Sequence, residues 1–310
     1  MTNLEIIASE SMNDLAQRVH KNLQDSCDLG YQEILWTFFA NGECKPQFTG
    51  SLRNKEIYLF HPMQDPDPNT SIVQLMLSID AISRAGAKSL SLVLPYMTYA
   101  RQDRKDEARV PISAKLLANM IQAYPVDHIL TLDLHSDQLQ GFYNIPIDNL
   151  YGSLVHAEHF KVMYHGDFSN LVVYSPDFGG AVRARNFAKR LGPSVRTYPI
   201  EKSRTGPNQS KVLHFLGDPK GKDVIIYDDM IDTGGSIIAA AKEAYAKGAN
   251  KVYCVATHGI FSTKDEVRAE ARFKEENIQV ITTESIPRSN AYLKDNASWL
   301  KPLPLHDLLA

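Results

Sequence analysis

The chain has 310 residues, 44% of them hydrophobic, with a formal net charge of −3 and a pI near 6.4. That is enough apolar material for a sizeable core and two domains, and too little positive charge for nucleic-acid binding to be the main business. Cys27, Cys44 and Cys254 form no Cys-x-x-Cys pair, no basic-then-apolar leader opens the sequence, and no apolar run nears the roughly 18 residues of a membrane span, so a soluble cytoplasmic protein is expected, without disulfides, zinc, nucleic acid or membrane.

Along the chain, Phe38-Phe39-Ala40-Asn41-Gly42-Glu43 places an Asn-Gly turn between apolar residues, a hairpin signal. Residues 55–60 read as a strand, 61–71 as a loop, and the pattern from Leu75 as a helix closing on Gly-Ala before a strand that ends at Leu94. Residues 95–105 are a basic, aromatic loop holding Arg101 and Gln102, and Pro111-Ile-Ser113 caps a helix over 114–122. Residues 129–135 and 171–177 read as buried strands ending in His135 and Asp177, the second followed by Gly179-Gly180 and a basic helix over 183–190. Gly, Pro, Asn and Ser make 200–210 a loop, on which Lys202 and Arg204 stand. A boundary near Leu150 gives two halves, 1–150 and 151–310.

The stretch from Lys222 to Ser236 carries the most chemistry. Val224-Ile-Ile-Tyr227 is a strand, Asp228 and Asp229 follow at its carboxyl end, Asp232-Thr233-Gly234-Gly235-Ser236 is a tight turn, and 237–247 continue as a helix. Glycines let the backbone approach an anion, and the free N–H groups of the helix start favour a phosphate. Carboxylates accept from vicinal hydroxyls. A ligand with phosphate at one end and a diol at the other satisfies both, which is the chemistry of a ribose 5-phosphate; plain helix capping needs only one such acid. A weak repeat supports two related domains: residues 55–94 and 222–256 both read strand, loop, helix, Gly-Ala, strand, about 165 residues apart, too far for a solenoid. The first copy lacks the acids and glycines, so only the second is expected to cradle the phosphate.

These residues resemble a known family. Asp228 to Ser236 is similar to the phosphoribosyl-diphosphate (PRPP) loop of type I phosphoribosyltransferases and PRPP synthetases. Three further stretches resemble only the synthetases, the ribose-phosphate pyrophosphokinase family: Tyr99-Ala-Arg-Gln-Asp-Arg-Lys105 with Pro111-Ile-Ser-Ala-Lys115, Asp133-Leu-His-Ser136 through Asn149, and Ser175-Pro-Asp-Phe-Gly-Gly180 with Arg183-Ala-Arg185. The resemblance implies an α/β fold of two phosphoribosyltransferase-like domains, each a mainly parallel sheet flanked by helices, with the active site in the cleft. It implies transfer of the pyrophosphoryl group of ATP to the C1 hydroxyl of ribose 5-phosphate, giving PRPP and AMP, with Mg²⁺ required.

By the same resemblance, Phe39, Asn41, Gly42, Glu43, Arg101 and Gln102 bind ATP, and His135 and Asp177 are the metal positions. Lys202 and Arg204 are catalytic cations, and Arg204, Asp228, Asp229, Asp232, Thr233, Gly234, Gly235 and Ser236 hold the ribose 5-phosphate. A homo-oligomer, often a hexamer in the family, is implied as well. The chain departs from the family at Ser203, where an Arg is frequent, at Asn41, where Asp is usual, and over 67–74. Asn41, able to flip and donate, is expected to weaken selection of adenine. The alternatives are a PRPP-consuming phosphoribosyltransferase, which leaves the Asp-Leu-His signature unexplained, and a non-catalytic regulatory subunit, which would be expected to have lost one of these residues.

Overall fold

The computed structural model describes residues 3–204 and 211–310, and the side chains of all of these except 202–204 and 211–213. It divides into two units. The first begins with β1 (Leu4–Ala8), α1 (Asn13–Leu23) and β2 (Leu29–Glu33), followed by the hairpin of β3 (Leu35–Phe38) and β4 (Cys44–Gln47) around the expected turn. Then come β5 (Glu56–Phe60), α2 (Pro68–Arg84), β6 (Ser89–Leu94), α3 (Ser113–Gln122), β7 (His128–Leu132) and β8 (Ile147–Leu150). Six of these strands pair in parallel in the order β2-β1-β5-β6-β7-β8. Parallel strands carry helices on their faces, so Ile7, Leu59, Leu92 and Ile129 are fully buried in nearly continuous apolar runs. Helix α2 starts earlier than expected from its apolar pattern. Pro68 stands in its first turn, and the Asp67 carboxylate accepts from the amides of Asn69 and Thr70, so residues read as loop open the helix instead.

The second unit runs through α4 (Ser153–Met163), β9 (Leu171–Ser175), α5 (Ala181–Leu191), β10 (Arg196–Arg204), β11 (Lys211–Phe215), β12 (Asp223–Ile231) and α6 (Gly235–Ala246). It continues with β13 (Lys251–Gly259), α7 (Ala269–Glu275), β14 (Gln279–Thr283), α8 (Asn290–Asn296) and β15 (Leu300–Leu303). The strand order is β11-β10-β9-β12-β13-β14-β15, with only β11 antiparallel to its neighbour. Side chains alternate between two cores, as a period of two requires. Val172, Tyr174, Val224 and Ile226 join Phe273 of α7 and Ala241 of α6 on one side. Val173, Ile225 and Tyr227 join Phe160 of α4 and Phe187 of α5 on the other.

The units are not two unbroken stretches. The first takes the chain through Tyr151 together with Ser285–Arg288 and Leu305–Ala310, and the second takes Gly152–Glu284 and Ser289–Pro304. The last helix, α9 (His306–Leu309), packs on α1, where Arg18 donates to His306 at 3.0 Å and Asn22 to Asp307 at 2.8 Å. Among the described residues, no helix is long and apolar enough to cross a membrane.

Candidate active site

The order of strands in the second unit fixes where its ligand crevice lies. From β9 the chain passes through α5 to β10 on one side, while β12 lies on the other side of β9. This reversal parts the loops above β9 and β12, and ligands of parallel sheets gather there, outside the carboxyl ends of the strands. Asp177 follows β9, and Asp228 and Asp229 lie within β12, near its carboxyl end. The acids therefore do not come after the strand, as the sequence suggested: β12 continues past Tyr227, with Asp228 opposite Ala256 and Met230 opposite His258. Asp229 follows Tyr227 by two residues, so it is on the α5 side. There Arg183 Nη1 donates to Asp229 Oδ1 at 3.2 Å and lies 3.6 Å from Asp228 Oδ1.

Gly180 keeps this corner narrow. A Cβ at that position would sit 2.7 Å from Ser175 Oγ and 3.7 and 3.8 Å from the carboxylate oxygens of Asp228 and Asp177, so both acids border the space that the missing side chain leaves. Asp177 Oδ1 accepts from the Gly180 amide at 3.0 Å. Burial, and then the neighbouring charge of Asp229, hold the Asp228 carboxyl well above its ordinary pKa, while Arg183 pulls it the other way. The carboxylate pair, not Asp228 alone, takes up the proton.

Asp232 and Thr233 turn the chain from β12 into α6. Gly234 is the helix N-cap in a left-handed conformation, φ 77°, and as a glycine it offers no side chain to the amides that follow. Gly235 and Ser236 are exposed at that open end, and nothing lies within 4 Å of the position of a Cβ on Gly235. An uncapped N-terminus with room above it suits a phosphate.

The corresponding crevice of the first unit, between β1 and β5, is filled. Ser9, just after β1, donates its hydroxyl to His61 Nδ1 at 2.8 Å, and His61, just after β5, donates from Nε2 to the carbonyl of Ser71 at 2.9 Å. Both residues are buried, and burial drives the His61 pKa down to about 4, so the imidazole is neutral. The amides at the start of α2, which would face an anion, are taken by Asp67.

The remaining residues of the first unit stand on loops. Phe39 is 46% exposed at the hairpin tip, Gly42 has φ 90°, and Asn41 Oδ1 accepts from the amide of Glu43 at 3.1 Å. Arg101 and Gln102 are exposed between β6 and α3, where Gln102 accepts from the Ser113 hydroxyl and its carbonyl from the Ala114 amide. His135 is exposed three residues after β7, beyond Asp133, whose φ of 36° turns the chain out of the sheet. The rest of that loop is tied to α3: Lys115 donates to the carbonyl of Phe142 at 2.6 Å, and Gln122 does so at 3.2 Å. Among the described residues, no three His, Cys, Asp or Glu side chains converge as a closed metal site.

Lys202 and Arg204 are not on a loop. They are the seventh and ninth residues of β10, with their backbone paired to Leu213 and Lys211 of β11, and the expected loop at 205–210 lies outside the described residues. Arg183 received no role from the sequence, because its acidic partners stand 46 residues away in the chain; its place one turn into a helix behind Gly-Gly was the available signal.

Two family models match the chain: the N-terminal domain of ribose phosphate pyrophosphokinase over residues 4–124, and the phosphoribosyl synthetase-associated domain over 192–310. Ribose-phosphate pyrophosphokinase from Helicobacter hepaticus is 42% identical over 89% of this chain and 86% of its own length. The same-named proteins of Gloeobacter violaceus and Shewanella oneidensis are 41% and 39% identical over 92% and 95% of the chain, and 82% and 90% of their own. A crystal structure of phosphoribosylpyrophosphate synthetase from Mycobacterium smegmatis superposes with a TM-score of 0.87 at 33% identity, covering 99% of this chain and 96% of that one.

Proposed function

Because the chain belongs to the ribose-phosphate pyrophosphokinase family, we propose that it moves the pyrophosphoryl group of ATP to ribose 5-phosphate, with the sugar phosphate held at the β9–β12 crevice of the second unit. The enzyme makes PRPP and AMP. One observation carries the site assignment: an acidic pair and an uncapped helix N-terminus meet on one strand end, β12, while the matching end of β5 is filled by His61.

The ribose 5-phosphate sits with its phosphate on the amides from Gly234 to Ser236 and on the Thr233 and Ser236 hydroxyls, and its 2- and 3-hydroxyls donate to Asp228 and Asp229. Two donated hydrogen bonds favour the ionised pair, so binding of the sugar lowers the proton affinity of the acids. Arg183 keeps the charged pair in register from the α5 side. With the ring held at both ends, C1–OH faces away from the loop, and the remaining barrier is the approach of two highly charged groups. Lys202 and Arg204 on β10 neutralise the migrating phosphates, an electrostatic contribution made mainly in the transition state. Phe39, Asn41, Gly42, Glu43, Arg101 and Gln102 hold ATP, the aromatic ring against the base and Arg101 by charge.

Mg²⁺ fits the donors present. The carboxylate of Asp177 suits a hard cation, and His135 suits contact through a bound water better than direct ligation. When bound, the ion screens the phosphate charge and aligns the triphosphate. The exposed apolar side chains of the hairpin, Leu35 and Phe38, support association of copies of the chain into the homo-oligomer, and the protein works in the cytoplasm.

Replacing Asp228 and Asp229 together with Asn should raise the KM for ribose 5-phosphate while leaving that for ATP near its original value, since each bond to a charged acceptor contributes roughly 1–2 kcal/mol over a neutral one. Steady-state kinetics with each substrate varied decides it. Unchanged constants for both would remove the sugar from this loop.

A further inference from the structure

We infer that three aromatic rings beneath the turn, Phe261, Phe273 and Trp299, form a platform that holds Gly234 in its left-handed conformation, making Phe273 a positioning residue for ribose 5-phosphate and Trp299 a built-in reporter of its binding. The inference rests on the assignment of the sugar phosphate to the α6 start.

The contact that carries it is at Gly234. A Cβ there would be 2.9 Å from Phe273 Cε2 and 3.1 Å from Cζ, closer than carbon atoms pack, so the ring edge occupies the space where any other residue would have its side chain. Gly234 at φ 77° thus lies directly on the Phe273 ring, and the amides expected to meet the phosphate begin at the next residue. Phe273 comes from α7 and is fully buried. It stacks on Trp299, centroids 5.1 Å apart with the planes 3° from parallel, and Phe261 stands edge-on to both at 6.1 and 5.4 Å. Trp299 is fixed in turn, since its Nε1 donates to Asn296 Oδ1 at 3.0 Å.

Phe261 also joins the platform to the other side of the turn. Its own φ is 56°, a conformation a bulky residue adopts only when its surroundings fix it. The amides of Ile260 and Phe261 donate to the carbonyl of Ile231 at 2.9 and 3.2 Å, and that of Ser262 donates to the carbonyl of Asp232 at 3.2 Å. The segment anchored by the Phe261 ring therefore straps the first half of the turn, and Phe273 supports the second. A phosphate site built mainly from backbone amides takes its shape from what supports the backbone, and here the rings supply that rigidity.

The test compares Phe273→Leu with Phe160→Leu, which removes a buried ring from the core on the opposite face of the sheet. Phe273→Leu is expected to raise the ribose 5-phosphate KM about 10-fold, with the ATP KM within about twofold. Phe160→Leu, at a comparable loss of Tm, should leave both within about twofold. An unchanged sugar KM in Phe273→Leu, or an equal rise in Phe160→Leu, overturns the platform. Reading the Asp228→Asn, Asp229→Asn double variant in the same assay separates the two levels. If its sugar KM is also unchanged, the site assignment falls; if it rises while that of Phe273→Leu does not, only the platform falls. Should Phe273→Leu not fold, the unmodified protein still decides. Titration with ribose 5-phosphate should shift tryptophan emission, a shift absent in Trp299→Phe although Trp36, the other tryptophan, remains. No shift, or one that survives Trp299→Phe, contradicts the inference.

Discussion

Arg183 serves two carboxylates with one guanidinium, and its neighbour Asp229 is almost fully buried. Removing the cation leaves the half-buried Asp228 and the buried Asp229 side by side without their counter-charge, which costs more than the pair gained by forming. Arg183→Gln is therefore expected to lower stability by about 3 kcal/mol and to push the proton affinity of the acidic pair higher still. Chemical denaturation measures the first effect, and unchanged stability would mean that solvent already screens the pair. Asn41 shows a second way in which one contact decides. The sequence suggested an amide free to flip and to blur the choice of base. Its oxygen accepts from the Glu43 amide, so a flip would sacrifice a turn hydrogen bond of about 1 kcal/mol. Asp at this position would make the same turn. Asn41→Asp should thus leave the ATP-over-GTP ratio of kcat/KM within about threefold, and a much larger rise would return base selection to this side chain.

At the scale of elements, the turn between β12 and α6 is the sharpest case. Gly234→Ala must bear both the left-handed backbone, about 1–2 kcal/mol, and the contact with Phe273, about 1–3 kcal/mol of overpacking. The expected outcome is a large rise in ribose 5-phosphate KM with little change for ATP, and equal effects on both substrates would contradict the local account. For β10, Lys202→Ala should lower kcat about 10²–10³-fold with smaller effects on either KM; a change in KM alone would make Lys202 a binding contact. This turn was legible in the sequence because strand, acids, glycines and helix are contiguous. The end of β12 was not, since whether Asp228 and Met230 stay in the sheet depends on Ala256 and His258 of β13. Lys202 and Arg204 looked like loop residues because Gly206, Pro207 and Asn208 follow, yet β11 extends their strand by antiparallel pairing. The start of α2 was hidden for a different reason: Asp67 and Pro68 also read as turn residues.

Over the whole molecule, two sheets of one plan have diverged at their switch points, one keeping acids and an open helix end, the other filling with Ser9, His61 and Asp67. The filling has a consequence for acid stability. His61 and His156 are buried neutral, with pKa values lowered by burial to about 4 and about 3. An unfolded histidine titrates near 6.5, so between there and the folded value the unfolded chain binds more protons. Their contribution is complete above pH 6.5 and is lost as pH falls toward 4, on the order of 3 kcal/mol at His61. Asp228 has the opposite sign, because its raised pKa favours the folded state as pH falls. Denaturation followed from pH 7 to 4 should show the decline, reduced in His61→Gln, and a flat profile would contradict the neutral, buried assignment. The most direct measurement of the central claim is product analysis of the purified protein supplied with ATP, ribose 5-phosphate and Mg²⁺, followed by phosphorus NMR. One AMP and one PRPP are expected for each ATP consumed, with the C1 diphosphate formed more slowly at limiting ribose 5-phosphate when Asp228 and Asp229 are replaced by Asn. Formation of ADP, or release of pyrophosphate from PRPP in the presence of a base and no synthesis from ATP, would contradict it.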